Sequence, residues 1–408
     1  MRKLVTMAAT VALLAGLAAC GNSSEPSGTP ASLKVWVMGD DGKNFTNLTA
    51  DFTKETGIKV EVDAIPWANV NEKLTTAVAS GQGPDVMQIG LSLLSTFQAS
   101  GALLDLSPSL GAHPNLKGDN FLDAVAPGKL NPQGKVLSVP WISDTRVLFY
   151  RKDLLSEAGF AQPPKTWTEL HAYATKLASR GKDKYGYYIP QWDAPLPIQF
   201  TWQAGGDVVD KSGKVTLDTP EFRKAVDFYT SFYRQKLVPT AADFDQAQGF
   251  ISGAAPMLIS GPYLAKTIKD QAPELNGKWA VTTLPADKSG TALFAGSNMG
   301  VWHKTGNAEA AVKLLDYLSK PATQLKWYQI NNELPTVKSA LSDPALAADP
   351  NVQVYVKQLQ DAKLLPVVPA WDKISSKMLD SLNNMVLKGA DQTSTLTQLN
   401  ADVASLQK

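Results

Sequence analysis

Between residues 33 and 90, short apolar runs alternate with segments of helical periodicity. In the first helical segment Phe45, Leu48 and Phe52 recur on one helix face, and Gly57 supplies a C-terminal stop. A second helical segment ends at Gly81. The apolar runs predict strands at 33–38, 58–65 and 85–90. Strands and helices alternating through short connections predict a parallel sheet with right-handed crossovers.

The remainder of the chain repeats this alternation. Thr166 and Glu169 have the spacing of a capping box, so they predict the start of a helix within 163–180. Residues 107–135 predict a loop with one short helix. Further helices are predicted at 152–159, 219–236, 308–319, 321–331 and from 374 onward, and further strands at 186–190, 254–261 and 298–303. The pattern predicts two α/β units, because 408 residues exceed what one hydrophobic core usually organises.

The stretch 138–154, SVPWISDTRVLFYRKDL, combines an apolar run with charged residues. Trp141, Asp144 and Arg146 interrupt it, although buried strands rarely carry unpaired charges. The two charges either form an ordinary ion pair at a strand end or are presented to a ligand. We expect the segment to divide near Thr145, with its second half in the core of a second lobe.

The N-terminus has the features of a bacterial export signal. Arg2 and Lys3 precede an apolar stretch at 4–17, which is too short for a stable membrane span. The sequence Leu-Ala-Ala-Cys that ends at Cys20 resembles a lipobox, in which the cysteine becomes the lipidated first residue. A chance buried cysteine beside an ordinary signal peptide is the alternative. Cys20 is the only cysteine, so no disulfide forms within one chain, and 21–32 is a polar tether.

Charge and motifs exclude several functional classes. The chain has 39 basic and 38 acidic residues, a balance that gives no basis for nucleic-acid binding. Removal of 1–19 leaves 37 basic and 38 acidic residues, a formal charge of −1. A nucleophile elbow, a phosphate-binding loop and a dinucleotide fingerprint are absent, and the three histidines are far apart in sequence. We therefore expect neither an enzyme, a metal site nor a cofactor, although the many acidic residues leave a carboxylate pair open.

Seven separated blocks, in order, resemble one family, the extracellular solute-binding proteins (family 1) of ABC sugar importers, which includes the maltodextrin-binding proteins. The blocks are LKVWVMGDDGKN…FTKETGIKVEV, ASGQGPDVMQIG, VPWISDTRVLFYRKDLLSEAGF, PPKTWTELHAYATKLA, PMLISGPY, LFAGSNMGVW and NNELPTVKSA. The resemblance implies a two-lobed α/β periplasmic-binding-protein fold of type II, the Venus flytrap, with discontinuous lobes joined by crossing strands. Lobe 1 would hold 33–142 and 295–336, and lobe 2 would hold 143–294 and 337–408.

Sugar sites need aromatic planes for ring C–H faces and fixed donors and acceptors for hydroxyl groups. In lobe 1, the resemblance places Asp40 and Asp41 at a ligand-contacting turn, although Asp also favours turns for local reasons. The family pattern has a basic residue at Asp41, so that contact is altered here. Trp67 is either a ligand platform or a helix-entry packing residue. Gln88 is expected to point toward the cleft mouth.

Around the crossing strands and in lobe 2, the resemblance supplies further candidates. Asp144 occupies the position of a ligand-binding carboxylate, and Arg146 is either a ligand donor or its partner. Trp141 is either a platform or a core residue. The remaining candidates are Trp192 and Asp193 in a proline-rich loop, Tyr263 at an aromatic platform, Ser297 and Asn298 on a crossing strand, and Trp371 before the last helices.

The resemblance implies a lipid-anchored, monomeric receptor on the outer face of the bacterial cell membrane. It would capture a neutral mono- to oligosaccharide between its lobes and deliver it to ABC permease subunits, without making or breaking a bond. Two alternatives stay open: the same fold binding a polyamine or a glycerol phosphodiester, and a surface glycoside hydrolase.

Overall fold

The structure is a computed structural model, and the residues that it describes are 31–39, 41–66, 69–123, 125–131, 133–191, 194–368 and 370–407. Cys20 and the N-terminal segments lie outside them. Among the described residues, no helix combines the length and apolar character needed to cross a membrane.

The first sheet has seven strands and contains the strands predicted at the start of the chain. Its members are β1 Ser32–Met38, β2 Lys59–Ile65, β3 Val86–Gly90, β4 Val139–Thr145, β8 Ala292–Val301, β9 Leu334–Pro335 and β10 Ala362–Leu364. The order is β2-β1-β3-β8-β4-β9, and β10 pairs with the first residues of β8. β1 is parallel to β2 and β3, as predicted, whereas β8 is antiparallel to β3 and β4. Strands from late in the chain therefore return to the first sheet.

The second sheet has three antiparallel strands, in the order β6-β5-β7. They are β5 Val147–Arg151, β6 Met257–Ser260 and β7 Trp279–Thr282. β4 and β5 are separated by Arg146 alone, yet they belong to different sheets. The predicted division of 138–154 near Thr145 is therefore confirmed.

Helices surround both sheets. They are α1 Gly42–Thr56, α2 Val70–Ser80, α3 Leu91–Ala99, α4 Lys152–Glu157, α5 Trp167–Ala178, α6 Leu196–Gln203, α7 Pro220–Arg234, α8 Gln246–Ile251, α9 Pro262–Gln271, α10 Ala308–Leu318, α11 Pro321–Asn331, α12 Lys338–Leu341, α13 Pro344–Ala347, α14 Pro350–Leu359, α15 Trp371–Lys388 and α16 Gln392–Leu406.

The apolar spacing, glycine stop and capping box that predicted α1 and α5 are all found in the structure. Phe45, Leu48 and Phe52 are all buried on one face of α1, and each contributes roughly 1.5–3 kcal/mol by burial. Gly57 ends α1 in the left-handed conformation, with φ of 76°. Thr166 and Glu169 form the reciprocal capping box that begins α5.

Separate apolar cores support the two lobes. The lobe 1 core packs α1, α10 and α11 on the first sheet, around Phe45, Trp141 and Trp327. A lobe 2 core packs α5, α6, α7, α15 and α16 together, and a further cluster packs α9 and α14 on the second sheet. The lobe boundaries expected from the sequence stay a prediction.

Two expected elements are wrong. Residues 186–190 form no strand, and Tyr188 makes only an isolated bridge with Leu258. Among the described residues of 107–135, three short 3-10 turns replace the predicted helix. Residues 107–135 are rich in Gly, Pro and Asn, which favour irregular backbone. Residues 186–190 bond instead through the Tyr187 amide to the Leu237 carbonyl and through the Tyr188 amide to the Met257 carbonyl.

Candidate functional site

A cavity of about 300 Å³ lies where the two lobes meet. Lobe 1 contributes the end of β3 and the start of α3, and the middle is lined by Arg146 and residues 293–296 of β8. Lobe 2 contributes Pro195 and residues 364–367. The cavity thus opens at the carboxyl end of a parallel strand, where open α/β sheets usually bind their ligands.

Asp144 and Arg146 form an ion pair at the end of β4. Nη1 of Arg146 lies 3.6 Å from Oδ2 of Asp144, and the two side chains retain 18% and 22% exposure, respectively. Oδ1 of Asp144 is buried and accepts no hydrogen bond from the described residues. Burial raises the pKa of Asp144, although the Arg146 charge and the Thr145 amide oppose this shift. The carboxyl group of Asp144 is thus held between the Arg146 charge and the Thr145 amide.

Lobe 2 meets this pair at the first turn of α9. Tyr263 is 40% exposed, and its ring centroid lies 6.0 Å from the Arg146 guanidinium carbon. Its hydroxyl accepts hydrogen bonds from Ser260 Oγ at 3.0 Å and from Gln246 Nε2 at 3.3 Å. Because its hydroxyl is held by hydrogen bonds and its ring is exposed, Tyr263 is suited to pack against an apolar face of a ligand.

Gly261, the residue before α9, permits this approach. A Cβ atom there would stand 2.7 Å from Arg146 Nη1 and 2.8 Å from Asp144 Oδ1. The absence of a side chain brings the backbone of α9 against the ion pair. Its amino-terminal dipole then favours the negative charge of Asp144.

Glu333 adds a carboxyl group that the sequence analysis did not identify. Trp327 Nε1 donates a hydrogen bond to Glu333 Oε2 at 2.7 Å. Burial and the charges of Asp41 and Asp144 raise the pKa of Glu333 to about 7, against the hydrogen bond from Trp327. We call Asp41, Asp144 and Glu333 the carboxyl cluster. Asp41 stands at the N-cap position of α1.

Three residues that were predicted to contact the ligand form buried hydrogen bonds within the protein instead. Gln88 Oε1 accepts from the Met38 amide at 2.9 Å, and its Nε2 donates to Ser297 Oγ at 2.8 Å. Asn298 Nδ2 donates to Ser138 Oγ at 2.9 Å. All three predicted residues are at most 5% exposed, so their side chains hold strands together and are not presented to the cleft.

Two predicted tryptophans also lie in the cores. Trp141 packs against Phe45 and Trp327, with ring centroids 5.9 and 5.5 Å away, and Trp371 packs in the lobe 2 core. Both are at most 3% exposed, so neither offers a ring face to a ligand. Their apolar contact area is used for packing, which is the alternative that the sequence had left open for Trp141.

Four further candidates, Asp40, Trp67, Trp192 and Asp193, lie outside the described residues. From the sequence candidates, the structure brings together Asp144, Arg146 and Tyr263. Within the described part of the chain, no group of three or more His, Cys, Asp or Glu side chains could hold a metal ion.

Comparison with known proteins adds a family match. The model of the family described as "Bacterial extracellular solute-binding protein" matches residues 36–325. The diacetylchitobiose-binding protein of Streptomyces coelicolor is 25% identical, over 98% of this chain and 97% of that protein. The maltodextrin-binding protein of Bacillus subtilis is 27% identical, over 95% of this chain and 94% of that protein.

Solved structures share the fold. The sugar-binding protein MalE of Xanthomonas citri is 30% identical with a TM-score of 0.84, covering 92% of this chain and 97% of that one. An ABC substrate-binding protein of Listeria monocytogenes, solved with cycloalternan, is 23% identical with a TM-score of 0.84, covering 92% and 98%. These neighbours are two-lobed type II binding proteins, which is the fold class expected above.

Proposed function

Because the chain belongs to the bacterial extracellular solute-binding protein family, we propose that it captures a neutral carbohydrate, from mono- to oligosaccharide, in the interlobe cleft. It delivers this ligand to the permease subunits of an ABC importer. The resemblance from the sequence and the two-lobed fold are confirmed by the family match and by the structural neighbours. Relatives named for maltodextrin and diacetylchitobiose support a sugar as the ligand class.

The observation that carries this proposal is that Arg146, which lines the cavity, also contacts Asp144 and Tyr263. A carboxylate accepts hydrogen bonds from sugar hydroxyls, and a guanidinium donates in a fixed plane. The exposed ring of Tyr263 can pack on sugar C–H groups. Because β4 lies in the first sheet and α9 packs on the second, ligand bound between them would stabilise the closed form over the open form.

A cationic solute such as a polyamine is the second candidate. The carboxyl cluster sets three acidic groups against one guanidinium, which favours a cation over a glycerol phosphodiester. The raised pKa of Glu333 weakens this preference, since that group is partly neutral at pH 7.

We propose that the protein binds its ligand without making or breaking a covalent bond. The family is one of binding proteins. A glycoside hydrolase would need two carboxyl groups flanking one glycosidic bond, one protonated and one ionised. Incubation of the protein with oligosaccharides and analysis for new reducing ends tests this point, and we expect none.

Anchoring is also proposed. Lipidation at Cys20 would hold the monomeric receptor on the outer face of the cell membrane, beside its permease, with 21–32 as the tether. A relative of Streptococcus pneumoniae is named a solute-binding lipoprotein. We expect Cys20→Ser to move the protein from the membrane fraction to the medium, measured by fractionation of expressing cells.

Thermal shift over a solute panel tests the ligand class. The panel holds mono- and oligosaccharides, spermidine and glycerophosphodiesters. A ligand that binds only the native state raises Tm by mass action. At a ligand concentration of one hundred times Kd, the free energy of unfolding increases by about 2.7 kcal/mol. We expect a rise with at least one sugar. A rise with spermidine alone would transfer the proposal to the polyamine class.

A further inference from the structure

The interlobe cavity has an apolar lining, although the proposed ligand is rich in hydroxyl groups. Eleven of the fifteen described residues that line it have apolar side chains, and two more are glycines. Ser92 and Arg146 carry the other two side chains. Ligand pockets are mostly apolar in general, but their few polar groups have to match those of the ligand. The lining therefore limits which part of a sugar can enter the cavity.

A hydroxyl group would find few partners inside this cavity. A sugar hydroxyl donates a proton, and an arginine side chain accepts none, so Ser92 supplies the single side-chain acceptor among the described lining residues. The backbone of the β8 wall is also engaged, because β8 pairs with β4 along 294–297 and with β10 along 292–294. A hydroxyl buried here without a partner would lose its hydrogen bonds to water, which weakens binding.

The apolar part of the lining is mainly aliphatic. Six leucines and Val367 form its largest group. Phe294 is the one aromatic residue among the described lining residues, and it is 2% exposed. Sugar rings usually pack their C–H faces on exposed aromatic planes, which this cavity does not offer in its described part. Branched aliphatic side chains instead form a surface that a compact methyl group can contact closely.

Arg146 connects this apolar cavity to the polar groups of the site. It lines the cavity, its Nη1 lies 3.6 Å from Oδ2 of Asp144, and its guanidinium carbon lies 6.0 Å from the ring centroid of Tyr263. A single ligand can therefore place hydroxyl groups near the ion pair while an apolar substituent enters the cavity.

We propose that the interlobe cavity is a subsite for a methyl-bearing substituent of the sugar. The protein then selects a deoxy, N-acetylated or O-methylated carbohydrate over its fully hydroxylated counterpart. The methyl group is the chemistry that these three kinds of sugar share. This inference rests on the proposed carbohydrate function and narrows its ligand class.

Matched pairs of sugars test the preference by isothermal titration calorimetry. The pairs are L-fucose with L-galactose, N-acetylglucosamine with glucose, methyl glucoside with glucose, and N,N′-diacetylchitobiose with cellobiose. We expect the methyl-bearing member of at least one pair to bind the wild type about tenfold more tightly, because its partner would bury an unpaired hydroxyl in the cavity. The pair that shows the preference identifies the substituent.

Val367→Thr tests whether the preference arises in the cavity. Val367 lines the cavity and is 40% exposed, so this nearly isosteric change adds a hydroxyl group to the wall at little cost to folding. The new hydroxyl can accept from and donate to a ligand hydroxyl. We therefore expect the ratio of the two Kd values within the selective pair to fall at least about threefold.

Val60→Thr is the matched control. Val60 pairs with Leu33 in the edge strand β2 of the first sheet and is not a lining residue of the cavity. This variant should keep the wild-type ratio of Kd values, and thermal melts verify that both variants are folded.

Three results would contradict the inference. If no pair shows the preference, the cavity does not select a methyl group, while the carbohydrate function stands. If Val367→Thr keeps the wild-type ratio, the methyl group binds elsewhere, and the inference is again overturned by itself. If no sugar binds the wild type, the inference and the proposed function both fail.

Discussion

Glu333 places a carboxyl group where ionisation is costly. Burial and the charges of Asp41 and Asp144 oppose its ionisation, and the hydrogen bond from Trp327 favours the carboxylate. The pair of Asp144 and Arg146 contributes no net charge to balance it. A group held in this way makes the stability of the protein depend on pH.

The direction of that dependence follows from the shift. The ordinary pKa of Glu333 is 4.5, and folding raises it to about 7. Between these values the folded protein retains a proton that the unfolded chain has lost. The contribution of Glu333 is therefore fully present below pH 4.5 and is lost as pH rises through 7, by at most about 3 kcal/mol.

Glu333→Gln removes this titration while keeping a hydrogen-bonding side chain. We expect the free energy of unfolding of the variant to exceed that of the wild type increasingly as pH rises from 5 to 8. Urea unfolding of both proteins across that range measures the difference, and the Asp144 contribution largely cancels in the comparison. Parallel stability curves would show that Glu333 ionises normally.

Gly261→Ala tests the contact between α9 and the ion pair. The new Cβ would displace the Asp144 carboxyl group and the Arg146 guanidinium, while the backbone of Gly261, at φ −92° and ψ 176°, accepts alanine without strain. We expect sugar affinity to fall about tenfold, or ~1.4 kcal/mol, with a small change in Tm. Calorimetry measures the affinity.

Gly306→Ala is the control for that substitution, since a Cβ there meets no atom within 4 Å. Equal affinities for Gly261→Ala and the wild type would mean that the ion pair lies outside the ligand contacts.

Some residues of the candidate site could be identified from the sequence. Asp144 and Arg146 stand out because charges are unexpected in an apolar run, whereas Tyr263 came from the family resemblance. Glu333 carries no such signal. It precedes Leu-Pro in a connection, and only the fold places it against Trp327.

At the scale of elements, the crossing strands determine the site. β4 pairs with β8 from Val139 to Thr145, and the chain changes sheet immediately afterwards. β8 in turn joins β3 of the first lobe to β10. The side chains that follow this crossing are thus exposed to the cleft, which explains why charges can interrupt the strand.

Gly296 is needed in β8 for this pairing. Its φ is 133°, and a Cβ there would lie 2.0 Å from the Ile142 carbonyl oxygen. We expect Gly296→Ala to destabilise the protein by about 3 kcal/mol or more, since backbone strain and a main-chain clash add. Urea unfolding measures this loss.

Gly300→Ala, in the same strand, serves as the comparison. It meets mainly the flexible end of Leu103, at 2.9 Å, and should cost less. Similar losses for the two variants would contradict a special requirement at Gly296.

Several elements with strong periodicity were predicted from the sequence, whereas the fully buried helix α6 was missed. α1, α5 and α7 each have one apolar face, so their spacing identifies them. All eight residues of α6 are buried, so α6 has no polar face to create a period. The fold class itself followed from the ordered family blocks more than from any single element.

At the scale of the whole molecule, the two lobes touch at few polar points around the cleft. Asn332 Nδ2 donates to the Pro262 carbonyl at 3.4 Å, which joins the end of α11 to the start of α9. Ligand bound between the lobes would add contacts to both. We expect saturating sugar to lower the radius of gyration measured by small-angle X-ray scattering.

The scattering control is a variant that folds but binds the sugar more weakly. At a sugar concentration that just saturates the wild type, Asp144→Ala should show a smaller decrease in radius of gyration than the wild type. An unchanged radius for the wild type at saturation would contradict closure of the lobes over the ligand.

The central claim is that a neutral carbohydrate binds in the cleft through Asp144. Isothermal titration calorimetry of the wild type and Asp144→Ala, with the sugar that gives the largest thermal shift, tests it most directly. We predict one binding site in the wild type and at least about tenfold weaker binding in a folded Asp144→Ala protein. Equal affinity in the two proteins, or no binding heat with any sugar, would contradict the account.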